Sequence, residues 1–235
     1  MALARACAPA RARPRSRARA RGTPRARGTR RDDLLELQRA FEFIDQATGT
    51  RVRRARDDDV RACVDVIVDA FSETEDAKPR AYVLRYVIGL TSREDPEEVA
   101  LAATDATSGE VIGFITVSIT SRTRPVEGDS RMAPPSDAAY VGNACVRRDR
   151  RRRGTGRALV RAAERLTTEM GGCDCWLHVR AGEDAAVGLY RESGYVEVER
   201  ERVFRLAGLF GGKAPSPRVL MRKELRSDGS CNFML

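Results

Sequence analysis

The chain is poor in the residues that build metal sites and membrane spans. It has 235 residues with one histidine and six cysteines, and no cysteine spacing follows a zinc-ligand pattern, so we expect no metal site. No apolar run reaches the length that crosses a bilayer, and we expect no membrane partner. Lysine is scarce as well, with three lysines beside forty arginines. The length suffices for one α/β domain with a sizeable core.

The formal net charge of +9 is unevenly distributed along the chain. Residues 1–31 hold eleven of the 43 basic residues and no acidic residue, which leaves 32 basic residues against 34 acidic ones. Because that remainder is close to neutral, no nucleic-acid partner is predicted. The acid-free head is rich in Arg and Ala and lacks an apolar secretory core, which is typical of an organelle transit peptide. A disordered tail produced by the chain-wide preference for arginine is the alternative.

A strand-like segment at Tyr140–Val146 leads through a basic bend into a helix-like segment. This order predicts an anion site, because the unpaired N–H groups and the dipole of a helix N-terminus both favour negative charge. Gly154 and Gly156 let a phosphate approach the backbone closely. No Lys-Ser or Lys-Thr follows these glycines, and the third glycine of a dinucleotide fingerprint is missing. The bend is therefore neither a Walker A loop nor a Rossmann loop.

The pattern Arg151-x-x-Gly154-x-Gly156 resembles the acetyl-CoA loop of the GCN5-related N-acetyltransferases, the GNAT family. About thirty residues later a strand-like and helix-like segment resembles the second signature of that family. The residues that match this second signature are Ala186, Leu189, Tyr190, Gly194 and Tyr195. Glu183 stands where the family usually has Asn. On the two spaced signatures the chain is identified as a member of the family.

The resemblance implies an α/β fold: a single GNAT domain at residues 49–226. Its mixed central sheet has about seven strands, with flanking helices and a splayed cofactor cleft. Ahead of it, Phe41 and Ile44 belong to an apolar pattern of helical spacing. The remaining segments are a disordered transit peptide at 1–31, an N-terminal helical extension at 32–48 and a C-terminal tail at 227–235.

The resemblance also implies acetyl-CoA as co-substrate and a set of residues that bind it. The expected pantetheine contacts are the backbones of Ala144, Cys145 and Val146. The expected pyrophosphate and 3′-phosphate contacts are Arg151, Arg152, Arg153, Gly154, Thr155, Gly156 and Arg157. Glu183 and Tyr190 complete the set.

Three residues are candidates for catalysis. Tyr190 matches the family tyrosine that lies near the sulfur and acts as a general acid, with plain aromatic packing as the alternative. His178 is a candidate base or water-ordering residue, and its alternative is a structural histidine. Tyr140 matches a tyrosine of some protein N-terminal acetyltransferases. Direct transfer in a ternary complex, which the resemblance implies, disfavours Cys145 as an acyl carrier.

The sequence says less about the acceptor. An α-amine titrates near ~7.7–8.0 and a lysine near ~10.4, so neutralising lysine costs about 3.4 kcal/mol more. This difference favours an α-amine, and the resemblance to plastid GNATs implies protein N-termini and lysines as acceptors. We expect a protein or peptide amine, with N-termini preferred and lysines as further acceptors. A polyamine or arylalkylamine acceptor, bound in an acidic pocket, and a non-catalytic CoA-binding module are the alternatives.

The expected location is the plastid, with the mitochondrion as alternative, since residues 140–146 and 219–225 are similar to plant and algal plastid members. The sequence leaves the oligomeric state open.

Overall fold

The structure is a computed structural model that describes residues 30–74, 77–92, 97–124, 132–201 and 216–226. The helices are α1 (Arg30–Ala40), α2 (Val60–Phe71), α3 (Arg80–Ser92), α4 (Thr155–Glu169) and α5 (Asp184–Glu192). The strands are β1 (Glu42–Asp45), β2 (Thr50–Arg54), β3 (Glu98–Asp105), β4 (Val111–Ser118), β5 (Ala139–Val146), β6 (Asp174–Arg180), β7 (Val196–Arg200) and β8 (Arg218–Glu224). Residues 1–29 and 227–235 lie outside the described residues. They hold the predicted tail and all of the predicted transit peptide except Arg30 and Arg31, which belong to helix α1 and not to a disordered segment.

The eight strands of the described residues form one sheet in the order β1-β2-β3-β4-β5-β6-β8-β7. Every neighbouring pair is antiparallel except β5 and β6, which run parallel. β3 and β4 are almost entirely buried because helices cover both of their faces. The predicted α/β fold with a mixed sheet is confirmed, and the sheet has one strand more than the roughly seven expected.

The additional strand corrects the prediction of a continuous helix over residues 32–48. Helix α1 ends at Ala40, and Glu42–Asp45 pairs with β2. The Asp45 side chain accepts the Ala47 N–H at 3.0 Å and Gly49 has φ +61°, so turn residues form a hairpin here. Ile44, which helical spacing placed on the buried face, is 43% exposed. Turn chemistry and edge pairing therefore outweigh the helical spacing of the apolar residues.

Two helical layers enclose the sheet. Helices α2 and α3 pack on one face against Ala100, Ala102 and Phe114. Helix α4 packs on the other face, where Leu159 and its apolar neighbours contact the strands from β1 to β6. No helix in the described segments is long and apolar enough to cross a bilayer.

Strands β5 and β6 separate soon after they begin. Only Ala139 and Tyr140 of β5 pair with β6, opposite Cys175 and Trp176. Beyond Tyr140, the edge of β5 that faces β6 has no paired strand. The splayed cleft expected from the family resemblance is therefore present between these two strands.

Candidate active site

A cleft of about 1510 Å³ opens where β5 and β6 diverge. Its wall includes the expected residues Tyr140 of β5, His178 of β6 and Tyr190 of α5, so the three catalytic candidates line one cleft. Small-molecule sites usually measure about 300–1,000 Å³. The cleft is thus large enough for a long cofactor together with an acceptor.

An irregularity in β5 shapes one wall of the cleft. The register against β4 shifts between Phe114 and Thr116, and Asn143 at this bulge has φ +51°. The Asn143 amide donates to the Tyr86 hydroxyl at 2.9 Å and to the Thr116 hydroxyl at 3.3 Å. Tyr86 in turn donates to Glu98 at 3.2 Å. These bonds hold a strained backbone conformation that bends β5 away from β6.

After the bulge, the expected pantetheine contacts line the cleft. Ala144 and Val146 are partly buried, and Cys145 is buried between β5 and helix α2. Burial raises the pKa of the Cys145 thiol, which keeps it protonated and a poor nucleophile. This supports the expectation that Cys145 does not carry an acyl group.

The loop between β5 and α4 forms a helix N-terminus at the end of the cleft. Gly154 occupies the N-cap with φ +88°, and its carbonyl accepts the first helical hydrogen bond, from Ala158. A Cβ at Gly154 would lie 2.4 Å from Thr48 Cγ2, so glycine is required by both space and conformation. The N–H groups of the first turn, from Thr155 to Arg157, precede the helical bonding pattern. Thr155 is buried and is not part of the cleft wall, whereas Gly154, Gly156 and Arg157 line the cleft.

The arginines of this loop differ in whether their side chains have a hydrogen-bond or ion-pair partner among the described residues. Arg147, Arg148, Arg150 and Arg157 all pair with carboxylates. Arg151 folds back, with its Nε 3.1 Å from the Val146 carbonyl oxygen. Among the described residues, Arg152 and Arg153 have no hydrogen-bond or ion-pair partner and are exposed. Arg152 lines the cleft, whereas Arg153 is not part of its wall.

The hydrogen bonds of His178 define its tautomer. Its Nε2 lies 3.0 Å from the carbonyl oxygen of Met132, which only accepts, so Nε2 carries the proton. Its Nδ1 then has a lone pair and accepts from the Tyr140 hydroxyl at 3.1 Å. Burial lowers the pKa of His178 below 6.5. Burial also raises the pKa of Tyr140 to about 12.

Tyr190 closes the cleft from the side of α5. It is 7% exposed and packs edge-to-face on Tyr195 with ring centroids 5.7 Å apart. Its hydroxyl makes no hydrogen bond with any described residue. Burial raises the pKa of Tyr190, and the nearby Tyr140 and Cys145 add to the effect. The hydroxyl therefore stays protonated, as a proton donor requires.

Comparison with known proteins identifies the family of the chain. The model of the acetyltransferase (GNAT) family matches residues 60–195, more than half of the chain. The chain belongs to the GNAT family.

Similar GNAT proteins include a chloroplast enzyme and two of known structure. GCN5-related N-acetyltransferase 5, chloroplastic, from Arabidopsis thaliana is 36% identical over 93 residues, 39% of this chain and 28% of that protein. The matched region therefore spans little more than a quarter of that relative. The Escherichia coli ribosomal-protein-S18-alanine N-acetyltransferase aligns with a TM-score of 0.55 at 18% identity, covering 78% of this chain and 99% of that one. A Vibrio cholerae spermidine N-acetyltransferase SpeG chimera with hSSAT aligns with a TM-score of 0.56 at 18% identity, covering 75% and 96%. At these identities the two structures establish the GNAT fold alone.

The cleft residues fit acetyl-CoA, the co-substrate with which GNAT structures are solved. The glycine at the N-cap leaves a surface that a Cβ would fill, and the helix N-terminus beside it offers backbone donors for the pyrophosphate. Arg152 is an exposed cation on the same wall. The part of the chain that the structure describes contains no group of three or more His, Cys, Asp or Glu residues that could hold a metal ion.

Glu183 occupies the start of α5, where the GNAT signature usually has Asn. It is exposed on the cleft wall, and its side chain makes no capping hydrogen bond. Its backbone nevertheless begins the helix, since its carbonyl accepts from Ala186 and Val187 at 2.9 Å. Helix α5 therefore begins in the usual way with Glu in place of Asn. A contact of the Glu183 side chain with the cofactor must differ from that of an Asn side chain.

Several cleft residues escaped the sequence reasoning. Lys78, Arg180 and Arg218 line the same cleft as the catalytic candidates. Arg180 could have been found, because it stands two residues after His178 in a strand and therefore shares its face. Lys78 and Arg218 have no such local signal, since one precedes α3 and the other begins β8.

Proposed function

We propose that this GNAT enzyme transfers the acetyl group of acetyl-CoA directly to protein N-terminal α-amines, with lysine side chains as further acceptors, in plastids. The observation that carries the proposal is the chain of hydrogen bonds from Tyr140 through His178 to the Met132 carbonyl. When bound, acetyl-CoA supplies an acetyl group activated as a thioester.

Tyr140 and His178 form a proton acceptor for the attacking amine. Because His178 Nδ1 already accepts from Tyr140, a proton reaches the histidine only by way of the tyrosine hydroxyl. Tyr140 takes the proton of the amine on its oxygen while its own proton moves to Nδ1. Since His178 has a lowered pKa, it is neutral and ready to accept at neutral pH. The base role assigned to His178 from the sequence thus operates through Tyr140.

Tyr190 acts on the leaving group of the reaction. The leaving thiolate needs a hydrogen-bond donor, and Tyr190 has a protonated hydroxyl without a partner among the described residues. It lies on the cleft wall with Tyr140 and His178. The proton balance is then one proton accepted at Tyr140 and one donated from Tyr190.

Two further observations support the acceptor and the location. The ribosomal-protein-S18-alanine N-acetyltransferase shares the fold. An α-amine also has a lower pKa than a lysine, so the Tyr140–His178 pair deprotonates it more easily. Two curated relatives are named as chloroplastic, in agreement with the Arg/Ala-rich head. The spermidine N-acetyltransferase chimera also shares the fold, and the test of the proposal therefore includes small amines.

Acetyl transfer by the full chain from labelled acetyl-CoA tests the proposal, with three acceptor classes in parallel. These classes are Lys-free peptides with free N-termini, N-blocked peptides with a lysine, and a panel of polyamines and arylalkylamines. We expect the highest kcat/KM for the first class and a lower value for the second.

Transfer to small amines alone would contradict the proposed acceptor. Binding of acetyl-CoA without transfer to any class would favour a non-catalytic binding module. The control variant Tyr140→Phe separates enzymatic from spontaneous acetylation, because its fold and cofactor site keep every contact except the hydroxyl.

A further inference from the structure

The side chain of Arg124 binds the backbone of the segment that leads into β5. Its guanidinium donates to the carbonyl oxygens of Pro134 at 3.1 Å and of Ser136 at 3.2 Å. It also donates to the carbonyl oxygen of Ala138, directly before β5. The hydrogen bonds of this side chain among the described residues thus all go to backbone oxygens, and Arg124 lies outside the cleft wall.

The segment at residues 132–138 needs a donor from elsewhere in the chain. Pro134 and Pro135 have no N–H group, so the segment cannot form a regular ladder of hydrogen bonds. Pro134 and Ala138 are buried, and a buried carbonyl without a donor costs free energy. A guanidinium carries five N–H donors in one plane, which is enough for three carbonyl groups. The three bonds therefore tie this segment to the chain at Arg124.

Arg124 follows a stretch that is itself fixed to the sheet. The Ser118 hydroxyl at the end of β4 donates to the Thr123 carbonyl oxygen at 3.3 Å. The Thr123 hydroxyl donates to the carbonyl oxygen of Glu97, directly before β3, at 3.2 Å. Because these bonds join the stretch to β3 and β4, they give the backbone at Arg124 a defined position relative to the sheet.

The segment that Arg124 binds also carries the carbonyl group that binds His178. The Nε2 N–H of His178 donates to the Met132 carbonyl oxygen at 3.0 Å, and Met132 stands two residues before Pro134. The Met132 side chain is buried in a small apolar cluster with Ala138, Tyr140, Trp176 and Leu220. Two sets of contacts thus place the Met132 carbonyl, the apolar cluster and the bonds of Arg124.

The charge of Arg124 is costly to bury. Burial lowers the pKa of Arg124, although a guanidinium stays protonated at neutral pH. Its Nε is buried and has no hydrogen-bond partner among the described residues. An apolar side chain at this position would avoid the cost of burying a charge, but it could hold none of the three carbonyl groups.

We propose that Arg124 is a positioning residue, which holds residues 132–138 so that the Met132 carbonyl binds Nε2 of His178. This inference rests on the proposed function. With Nε2 bonded to Met132, the neutral ring keeps its lone pair on Nδ1, towards the Tyr140 hydroxyl. Without Arg124 the ring is free to turn, or to take the tautomer in which Nδ1 carries the proton and cannot accept.

The single histidine of the chain allows a direct test of this position. The full chain is prepared without a histidine tag and with isotope-labelled histidine, and a proton–nitrogen correlation spectrum should show one ring N–H signal, from Nε2. Burial and the bond to Met132 slow the exchange of this proton with water. In Arg124→Gln we expect exchange to be faster by about tenfold or more, because an amide has two N–H donors. Arg124→Lys, which keeps the charge but not the planar set of donors, should give an intermediate rate.

A double-mutant cycle separates a positioning role from a general role in stability. With a Lys-free peptide as acceptor, Arg124→Gln should lower kcat by about five- to tenfold. The KM for acetyl-CoA should change by less than about twofold, because Arg124 does not line the cleft. In the His178→Ala background the same substitution should change kcat by less than about twofold, since the group that Arg124 positions is already absent.

Arg165→Gln is the matched control for the loss of an arginine. Arg165 lies on α4, pairs with Glu169 and does not line the cleft. We expect both kcat and the exchange of the ring N–H to stay within about twofold of the unmodified chain.

The outcomes separate the inference from the function on which it rests. Unchanged ring N–H exchange in Arg124→Gln, or an equal loss of kcat in both backgrounds, overturns the inference and leaves the proposed function standing. If Arg124→Gln does not fold, Arg124→Lys decides, and exchange and kcat equal to those of the unmodified chain overturn the inference. Full kcat in His178→Ala overturns the relay of the proposed function, and the inference with it.

Discussion

At the scale of single residues, the neighbours of His178 decide what the histidine can do. The Met132 carbonyl occupies Nε2, and the Tyr140 hydroxyl occupies Nδ1. A histidine bound in this way exchanges protons only through the tyrosine. Tyr140 is therefore as necessary to the proposed reaction as the histidine.

The pH dependence of kcat/KM tests this relay. Protonated His178 cannot accept, so activity falls as the pH drops through a pKa that burial places below 6.5. The peptide α-amine adds its own ionisation near ~7.7–8.0. We expect log kcat/KM to fall with a slope of about one below the amine pKa, and of about two below the histidine pKa.

In His178→Ala the change of slope at the histidine pKa should disappear from the plot of log kcat/KM against pH. Tyr140→Phe should lower kcat/KM by about 10²–10³-fold. A low-pH break retained in His178→Ala would contradict the relay. Acetyl-CoA binding, measured in parallel, controls for loss of the fold.

Arg152 offers a test of the phosphate site. It lines the cleft without a partner among the described residues, whereas Arg150 pairs with Asp105 and lies off the cleft wall. We expect Arg152→Gln to weaken CoA binding by about tenfold, or about 1.4 kcal/mol, because a charge-assisted phosphate contact is lost. Arg150→Gln is the matched control, with an expected change of less than about twofold. Titration calorimetry measures both, and equal losses would argue against a direct contact of Arg152.

At the scale of elements, the parting of β5 and β6 creates the site. The two strands pair over two residues only, and the bulge at Asn143 bends β5 away. Gly154 is the N-cap of the helix that follows, and its left-handed conformation turns the chain from the loop into α4. Strand, bulge and N-cap thus act as one unit that presents backbone donors to the cleft.

Gly154→Ala tests the structural part of this unit. The alanine would adopt φ +88° and place its Cβ 2.4 Å from Thr48 Cγ2, so we expect a loss of about 2–3 kcal/mol in the free energy of unfolding. Adding Thr48→Ala should recover the stability that is lost to the clash with Thr48 Cγ2. The stability that is lost to the left-handed backbone conformation of the alanine should remain lost.

The control is Gly89→Ala in α3, where a Cβ meets nothing within 4 Å. Alanine favours the helix there, and a gain of about 0.5–1 kcal/mol is expected. Chemical denaturation measures all three variants. A neutral Gly154→Ala would show that the N-cap can relax without cost.

At the scale of the whole molecule, helix α4 connects the two parts of the divided sheet. It contacts β1 to β5 on one side of the cleft and β6 on the other. The direct pairing of β5 with β6 covers two residues, and the contact of α4 with β6 adds packing between the parts. A ligand that fills the cleft adds contacts to both.

Acetyl-CoA should therefore stabilise the fold by linkage. At a concentration of about 100 times Kd, the free energy of unfolding should rise by about 2.7 kcal/mol, since the ligand binds the folded state alone. Denaturant titration with and without acetyl-CoA measures the change. A small acetyl thioester without the nucleotide is the control, and an equal rise with both would contradict binding through the phosphate loop.

The sequence by itself determined the elements and the signatures. The hairpin at Asp105–Gly109 and the order of elements from β2 onward follow from local apolar spacing and turn residues, and the structure agrees. Short motifs also singled out Tyr190 and Gly154, and both residues line the cleft. Such patterns are local, since they depend on neighbours within a few residues. They failed at Phe41–Asp45, where pairing with β2 outweighed the helical spacing.

Only the tertiary structure decided which side chains work together. His178 bonds to Met132, 46 residues away, and Tyr140 lies 38 residues from His178. Arg180 meets Arg218 through the register of β6 and β8, and the carboxylate partners of the loop arginines come from three other parts of the chain. Contacts of this kind leave no periodic signal, because strand register and sheet order bring them together. The motifs therefore sufficed for the family, while the hydrogen bonds of the proposed proton path required the fold.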